Sequence, residues 1–304
     1  MKQYTSLYFV GAGGIGMSAL ARYFLAKGYK VAGYDRTQSP LTTELKTEGL
    51  EIVYEESVES IPDYCRNPET TLVVYTPAIP ASHAGLVYFR EHGFRVVKRA
   101  ELLGLITQSS KGLCFAGTHG KTTTSSMAAH IFHESPIGCN AFLGGILRNY
   151  NSNLILSEQS PFTVIEADEY DRSFHWLHPY MAVVTATDPD HLDIYGTEEA
   201  YLESFARFTS LIQSGGCLIM KKGIKLVPSV KENVKIYTYS ARDGGDFHAG
   251  NIRIGDGTIV FDFVMPEGSV ADIELGVPVE INIENAVAAM AIAWLNGVSG
   301  DEMR

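Results

Sequence analysis

The sequence has few cysteines and no long hydrophobic run. None of its four cysteines forms a CxxC pair, and they stand far apart, at Cys65, Cys114, Cys139 and Cys217. That spacing argues against a disulfide framework or a structural zinc site and favours four buried thiols. The longest apolar run, Ala286–Leu295, has ten residues, too few to cross a bilayer. The opening MKQYTSLYFVGAGG lacks a secretory pattern, so we expect a soluble, cytoplasmic protein without membrane contact.

Basic residues are also scarce. Lys and Arg total 24 against 35 Asp and Glu, a formal net charge of −11. Such a chain has no broad basic surface for nucleic acid or anionic lipid, and a phosphate site must be local. Apolar residues make up 45% and charged residues 19% of the 304 residues. This composition is typical of a globular protein, and the length predicts about two domains.

The first part of the chain alternates short apolar runs with helical stretches. The predicted strands are Ser6–Val10, Lys30–Asp35, Thr71–Thr76 and Phe94–Val97, and the first is followed by GAGGIG and a helix. This alternation predicts a Rossmann-like parallel sheet. The polar stretch QSSKG begins at Gln108, so we place the first domain at residues 1–107.

The second part, residues 108–304, starts with a strand, glycine turn and helix of its own. We predict a P-loop-type α/β domain with a helix at Tyr201–Ile212 and strands at Leu113–Ala116, Phe162–Ala167, Met181–Ala186 and Cys217–Met220. The pattern then changes to a small antiparallel element, because Asn251–Ile254 and Thr258–Phe263 flank a GDG turn and Val270–Leu275 follows. Ile283–Leu295 reads as an Ala-rich helix, and the final DEMR resembles the first turn of another.

The first glycine loop fits G-x-G-x-x-G with Gly11, Gly13 and Gly16, and Asp35 ends the second predicted strand. The first glycine allows a tight turn, the second lets a pyrophosphate approach the backbone, and the third lets the helix pack closely. Free amides at the helix start attract the anion. The pattern fits NAD or the diphosphate of a nucleotide sugar, and a tight turn without ligand is the remaining interpretation.

The second glycine loop, GTHGKTTT at residues 117–124, follows a buried strand and opens a helix. Its spacing departs from the general P-loop pattern, yet it ends in Gly120-Lys121-Thr122. In such loops the amides surround phosphates, the lysine neutralises phosphate charge, and the threonine hydroxyl can hold Mg²⁺. We therefore predict a site for ATP here.

Acidic residues and a histidine follow the next two predicted strands. Glu166 ends an apolar run, with Asp168, Glu169 and Asp171 beyond it, and His191 follows the strand at Met181–Ala186. Carboxyl ends of parallel strands face the ligand crevice, so Glu166 is our candidate Mg²⁺ ligand. His191 could ligate a metal or orient carboxylates. Near the last helix, Asn282 is interpreted as its N-cap, whereas capping does not explain Asn285.

Five segments together resemble the Mur ligases of peptidoglycan synthesis. They are GAGGIGMSALA at 11–21, AGTHGKTTT at 116–124, EADEYDRSF at 166–174, DHLDIYG at 190–196 and INIENA at 281–286. Within that family, the two glycine loops are most similar to those of the ligases that add the first amino acid. The resemblance implies ATP-dependent joining of L-alanine to UDP-N-acetylmuramate through an acyl phosphate, with Mg²⁺.

The resemblance also implies roles for individual residues. Lys121, Glu166 and His191 would be catalytic, with Thr122, Glu166 and His191 as metal ligands. Contacts to ATP would come from Gly117, Thr118, His119, Gly120, Lys121, Thr122, Thr123, Asn282 and Asn285. The UDP-sugar would be bound by Gly11, Gly13, Gly14, Gly16, Asp35, Thr76 and Ala78.

The sequence departs from the family pattern in two segments. Ile281 stands where the family usually has a histidine, and TATDPD precedes His191 in place of a segment bearing asparagine and glutamate. The family also has a C-terminal third domain, which we expect this chain to lack, so we expect the chain to bind ligands but ligate poorly. Three alternatives stay open: a recycling ligase that attaches a preformed peptide, an NAD-dependent oxidoreductase, and a non-catalytic nucleotide-binding switch.

Overall fold

The computed structural model describes residues 3–242 and 244–304. Two compact units divide the chain, one formed by residues 1–106 and 144–154 and the other by residues 107–143 and 155–304. The division at 106/107 lies one residue before the expected boundary, and residues 144–154 group with the first unit, which the sequence pattern does not indicate.

The first unit is built on a five-stranded sheet in the order β3-β2-β1-β4-β5. All its strand pairs are parallel, as expected for a Rossmann-like domain. The strands are β1 Ser6–Val10, β2 Lys30–Tyr34, β3 Glu51–Val53, β4 Thr71–Tyr75 and β5 Arg95–Lys98, and the helices are α1 Ile15–Ala26, α2 Pro40–Thr47, α3 Ala84–Glu91 and α4 Arg99–Gln108.

The core of the first unit explains its element order. Every residue of β1 is buried, as expected for a central strand covered on both faces. One core cluster joins β1, β2 and β4 to α3 through Tyr8, Tyr34, Val73 and Phe89. The carboxyl ends of β1, β2 and β4 therefore converge where the first glycine loop leaves the sheet.

The second sheet has ten strands in the order β15-β14-β13-β12-β11-β10-β6-β9-β7-β8; its strands belong to the second unit, except for the end of β7 and most of β8, which fall within residues 144–154. Its strands are β6 Lys111–Ala116, β7 Asn140–Leu147, β8 Ser152–Ile155, β9 Phe162–Glu166, β10 Pro179–Val184, β11 Cys217–Lys221, β12 Lys235–Ser240, β13 Phe247–Gly255, β14 Thr258–Met265 and β15 Gly268–Leu275. The helices are α5 Lys121–Glu134, α6 Leu192–Tyr195, α7 Glu198–Ser210, α8 Ile281–Trp294 and α9 Gly300–Met303. A short 3₁₀ helix lies at Asp63–Cys65 in the first unit, and a longer 3₁₀ segment lies at Tyr170–Trp176 in the second.

The parallel centre of this sheet positions the predicted nucleotide site. Strand β6 lies between β10 and β9 and is parallel to both, so the loops after these three strands leave the same edge. Strands β13, β14 and β15 form the predicted antiparallel element. The sequence reading missed β3, β7, β8 and β12.

All four cysteines are free and buried, as predicted. Burial raises the pKa of the Cys65, Cys139 and Cys217 thiols to about 12, and it raises the pKa of Cys114 as well. They therefore remain protonated at neutral pH and are poor nucleophiles. In the part of the chain that the structure describes, no helix has the length and apolarity needed to span a membrane.

Candidate functional site

The second glycine loop connects β6 to α5 and is held tightly by the segment after β10. Gly117 has φ +140°, and a Cβ there would lie 2.2 Å from Thr185 Oγ1 and 2.7 Å from Ala186 N. Thr118 N–H donates to Ala186 O at 3.1 Å, and Thr118 Oγ1 donates to the carbonyl of Asp188 at 2.7 Å. Thr118, predicted to contact ATP, thus uses both groups to fix the loop.

The start of α5 carries the backbone amides that the sequence analysis predicts as phosphate donors. Gly120 is the N-cap residue, and the first intrahelical bond runs from Thr124 N to Gly120 O at 2.9 Å. The backbone amides of Lys121, Thr122 and Thr123 precede that bond and have no partner within the helix. Together with the helix dipole they give this end of α5 a positive partial charge, which favours an anion.

Lys121 is oriented by a residue that the sequence analysis did not select. Its Nζ donates to the carbonyl of Gly117 at 2.6 Å and to Glu169 Oε1 at 2.8 Å. Glu169 is 1% exposed, and burial raises the pKa of its carboxyl above the usual range although Lys121 opposes the shift. Its other oxygen, Oε2, is buried without a hydrogen-bond partner. The sequence placed Glu169 only within an acidic cluster.

Thr122 and Glu166, the predicted metal ligands, lie in direct contact. Thr122 Oγ1 donates to Glu166 Oε1 at 2.9 Å, at the end of β9. A hydroxyl and a carboxylate are hard oxygen ligands, and Mg²⁺ in phosphate sites needs only one or two protein ligands besides water and phosphate oxygens. The pair therefore fits Mg²⁺, although the described residues contain no cluster of three or more His, Cys, Asp or Glu side chains suited to a metal.

His191 is held by other neighbours. It has φ +52° and directly precedes α6. Its Nε2 lies 3.7 Å from Asp190 Oδ2, and its ring meets Tyr170 edge-on at 5.2 Å between centroids. The metal role predicted for His191 rests on the family resemblance. Thr122 and Glu166, by contrast, also contact each other directly.

Asn282 is not the N-cap of the last helix, which corrects our interpretation. Helix α8 begins at Ile281, its N-cap residue is Glu280, and no side chain caps it. Asn282 lies inside the first turn, where its Oδ1 accepts from Asn285 Nδ2 at 3.2 Å. Asn285 in turn accepts from Thr124 Oγ1 at 3.2 Å. The asparagine pair therefore links α8 to the helix that follows the phosphate loop.

We expect Asn285→Ala to destabilise the second unit by about 1–3 kcal/mol, because the buried Thr124 hydroxyl would lose its acceptor. Urea unfolding would measure the loss. Asn282→Ala is the matched control with a smaller expected effect, since Asn282 is only half-buried. An Asn285→Ala variant as stable as the control would contradict this role.

The first glycine loop is held in place by Asp35. Asp35 Oδ2 accepts from Gly13 N at 2.7 Å, and Asp35 Oδ1 accepts from Thr37 N at 3.0 Å. A Cβ at Gly13 would lie 2.7 Å from Thr42 Cγ2 and 2.8 Å from Asp35 Oδ2. Asp35 and Thr42 therefore leave no room for a side chain at this position. Both carboxylate oxygens of Asp35 are used in shaping the loop.

A cleft of about 470 Å³ nevertheless opens at this loop. Of the residues predicted to bind the UDP-sugar, it is lined by Gly11, Gly14, Gly16, Asp35, Thr76 and Ala78. Gly13 is the exception. Arg36, His83 and Arg99 also line it, and Arg99 Nη1 lies 2.8 Å from where a Cβ of Gly16 would stand. Arg99 brings a cation to the start of α1, a contribution that no motif in the sequence signals.

Comparison with known proteins identifies the family of this chain. The model described as "Mur ligase middle domain" matches residues 115–293, and the model described as "Mur ligase family, catalytic domain" matches residues 6–111. The chain belongs to the Mur ligase family. Ligases of this family depend on ATP and generally use Mg²⁺.

Curated relatives of this Mur ligase include two named UDP-N-acetylmuramate–L-alanine ligase. The one from Parabacteroides distasonis is 67% identical over 99% of this chain, which spans 65% of that relative. The one from Porphyromonas gingivalis is 56% identical over 98% of this chain, which spans 66% of it. The chain thus spans about two thirds of the length of these relatives.

Solved structures share the fold. UDP-N-acetylmuramate:L-alanyl-gamma-D-glutamyl-meso-diaminopimelate ligase from Neisseria meningitides has a TM-score of 0.84 at 22% identity, with 99% of this chain and 96% of that chain covered. UDP-N-acetylmuramate-alanine ligase from Thermotoga maritima has a TM-score of 0.80 at 24% identity. The match covers 98% of this chain and 66% of that one. These likenesses establish the α/β architecture of both units.

Proposed function

We propose that this chain provides the sugar-nucleotide and ATP sites of a ligase that joins L-alanine to UDP-N-acetylmuramate. The observation that carries the proposal is the phosphate loop at the end of β6, where Lys121 and the Thr122–Glu166 pair converge. The identity of 67% with a relative named for this reaction supports the choice of substrates. A cytoplasmic location is part of the same proposal.

The residues of the second unit would hold the triphosphate. The amides of Lys121, Thr122 and Thr123 would donate to phosphate oxygens, and the Lys121 ammonium would neutralise charge on the transferred group. Thr122 and Glu166 would hold Mg²⁺, which when bound supplies further neutralisation of phosphate charge. Gly117 keeps the loop against Thr185 and allows this approach.

The residues of the first unit would hold the nucleotide sugar. Its diphosphate would lie at the start of α1, where Gly14 is the N-cap and Arg99 adds positive charge. Asp35 would act indirectly, because its carboxylate already accepts from Gly13 and Thr37.

The proposed reaction has two steps. A carboxylate oxygen of the lactyl group attacks the γ-phosphorus of ATP, and ADP leaves as an acyl phosphate forms. The amine of L-alanine then attacks the acyl carbon, phosphate leaves, and the amine loses a proton as the amide forms. Negative charge develops in both steps, and the Lys121 ammonium and the α5 amides are placed to stabilise it.

Titration calorimetry of this chain with UDP-N-acetylmuramate, with ATP and Mg²⁺, and with NADH would test the proposal. We expect saturable binding of the first two ligands and none of NADH. Binding of NADH without the sugar nucleotide would overturn the ligase function and favour an oxidoreductase.

A further inference from the structure

The Lys121 ammonium already has an anionic partner before any phosphate arrives. Its Nζ lies 2.8 Å from Glu169 Oε1, with the two side chains 15% and 1% exposed. A phosphate at the loop would need the same ammonium. Because burial weakens screening by solvent, this pair competes with phosphate more strongly than a surface ion pair would.

The backbone after Glu169 is arranged to keep its carboxylate inside. Asp171 and Arg172 both have left-handed conformations, with φ +49° and +55°, which cost energy in residues other than glycine. Tyr195 Oη donates to the backbone carbonyl of Glu169 at 2.5 Å. Phe174, two residues beyond the strained pair, is fully buried and fixes the end of the turn. Strain of this kind persists where surrounding packing enforces a functional geometry.

The surroundings of Glu169 contain little positive charge besides Lys121. Asp168 and the phenols of Tyr195 and Tyr201 are the titratable neighbours that interact with it. Arg172 lies over the ring of Tyr195, with its guanidinium carbon 4.7 Å from the centroid. Glu169 Oε2 is buried with no hydrogen-bond partner. If Lys121 moves away, the carboxylate becomes a buried charge without a cation, a state that costs several kcal/mol unless it takes up a proton.

We propose that Glu169 is a positioning residue that holds Lys121 ready for the γ-phosphate, and that triphosphate binding transfers the ammonium from Glu169 to phosphate while the carboxylate takes up a proton from solvent. The inference rests on the proposed ATP site. The lysine stays protonated throughout, and the exchange breaks one ion pair and forms another. Glu169 thereby couples nucleotide binding at this loop to pH.

Proton uptake is measured directly by titrating the chain with Mg²⁺-bound ATP in buffers of different ionisation enthalpy. We expect a net uptake of up to about one proton per ATP, and an ATP affinity that rises as pH falls by at most about tenfold per pH unit. ADP, which lacks the γ-phosphate, is expected to cause less uptake. This measurement needs no variant.

Glu169→Gln separates positioning from a merely structural role, since it keeps the shape of the side chain but cannot ionise. We expect this variant to bind ATP without the proton uptake and with the pH dependence removed. Glu203→Gln, at an exposed position of α7, is the control. It should retain both the proton uptake and the pH dependence of ATP binding. Unchanged uptake in Glu169→Gln, or no uptake by the wild-type chain, would overturn the inference and leave the ATP site standing. Absence of any ATP binding would overturn the site and the inference together.

Discussion

Replacing Lys121 with methionine is expected to lower ATP affinity about 10- to 100-fold, because one ammonium–phosphate contact contributes about 1.5–3 kcal/mol. The same change should destabilise the second unit by about 3–5 kcal/mol at neutral pH, since Glu169 would stay buried without its cation. The pKa of Glu169 is already raised by burial. The destabilisation should therefore shrink as pH falls through the folded-state pKa and be largest above it.

Lys225→Met is the matched control for stability. Lys225 Nζ lies 2.6 Å from Glu198 Oε1, a distance similar to that of the buried pair, but the two side chains are 73% and 36% exposed. Its loss should cost less than about 1 kcal/mol. Urea unfolding at several pH values would compare the two. Equal losses in both variants would contradict the importance of burial, and adding Glu169→Gln to Lys121→Met should restore much of the stability.

Gly117→Ala is expected to abolish ATP binding and to destabilise the second unit by about 2–5 kcal/mol. The added Cβ would overlap Thr185 Oγ1 at 2.2 Å and the backbone nitrogen of Ala186 at 2.7 Å. The side chain could move, but the backbone of Ala186 accepts from Thr118 N–H and cannot shift without disturbing the loop. Binding of UDP-N-acetylmuramate should persist, because its proposed residues belong to the other unit.

Gly223→Ala is the control that measures how much stability a glycine with positive φ loses from backbone conformation alone when it is replaced with alanine. Gly223 has φ +85°, and a Cβ there would meet nothing within 4 Å. We expect a loss of about 1–2 kcal/mol from conformation alone and an unchanged ATP affinity. Calorimetry and urea unfolding of both variants would settle the comparison. Wild-type ATP affinity in Gly117→Ala would refute the placement of ATP at this loop.

Local sequence patterns were sufficient to predict the frame of both units. β1 and β6 are short apolar runs that lead directly into glycine turns and helices. This pattern is typical of buried strands in a parallel sheet. The Thr122–Glu166 contact was also predictable, since both residues follow adjacent parallel strands. β7 and β12 were missed because NAFLGGIL and KIYTYS carry no clean alternation of apolar and polar residues.

Contacts between residues far apart in the sequence could not be predicted from local patterns. Four acids stand between residues 166 and 171, and nothing in their order indicates that Glu169 alone is turned onto Lys121. The turn depends on two left-handed residues and on the packing of Phe174. Asn282 resembled an N-cap because its side chain suits one, but α8 begins at Ile281, two residues before the predicted start. Arg99, at the start of α4, lies beside the first glycine loop. It is far from that loop in the sequence, so no local motif indicates its position.

The link between Thr124 and Asn285 has a consequence for the order in which this protein forms. The two residues are separated by 161 positions, so the phosphate loop leaves the ribosome roughly 8–30 s before the helix that supports it. During that interval ATP would meet a loop whose supporting helix has not yet been made. The loop therefore gains its hydrogen bond to Asn285 only after α8 has been synthesised.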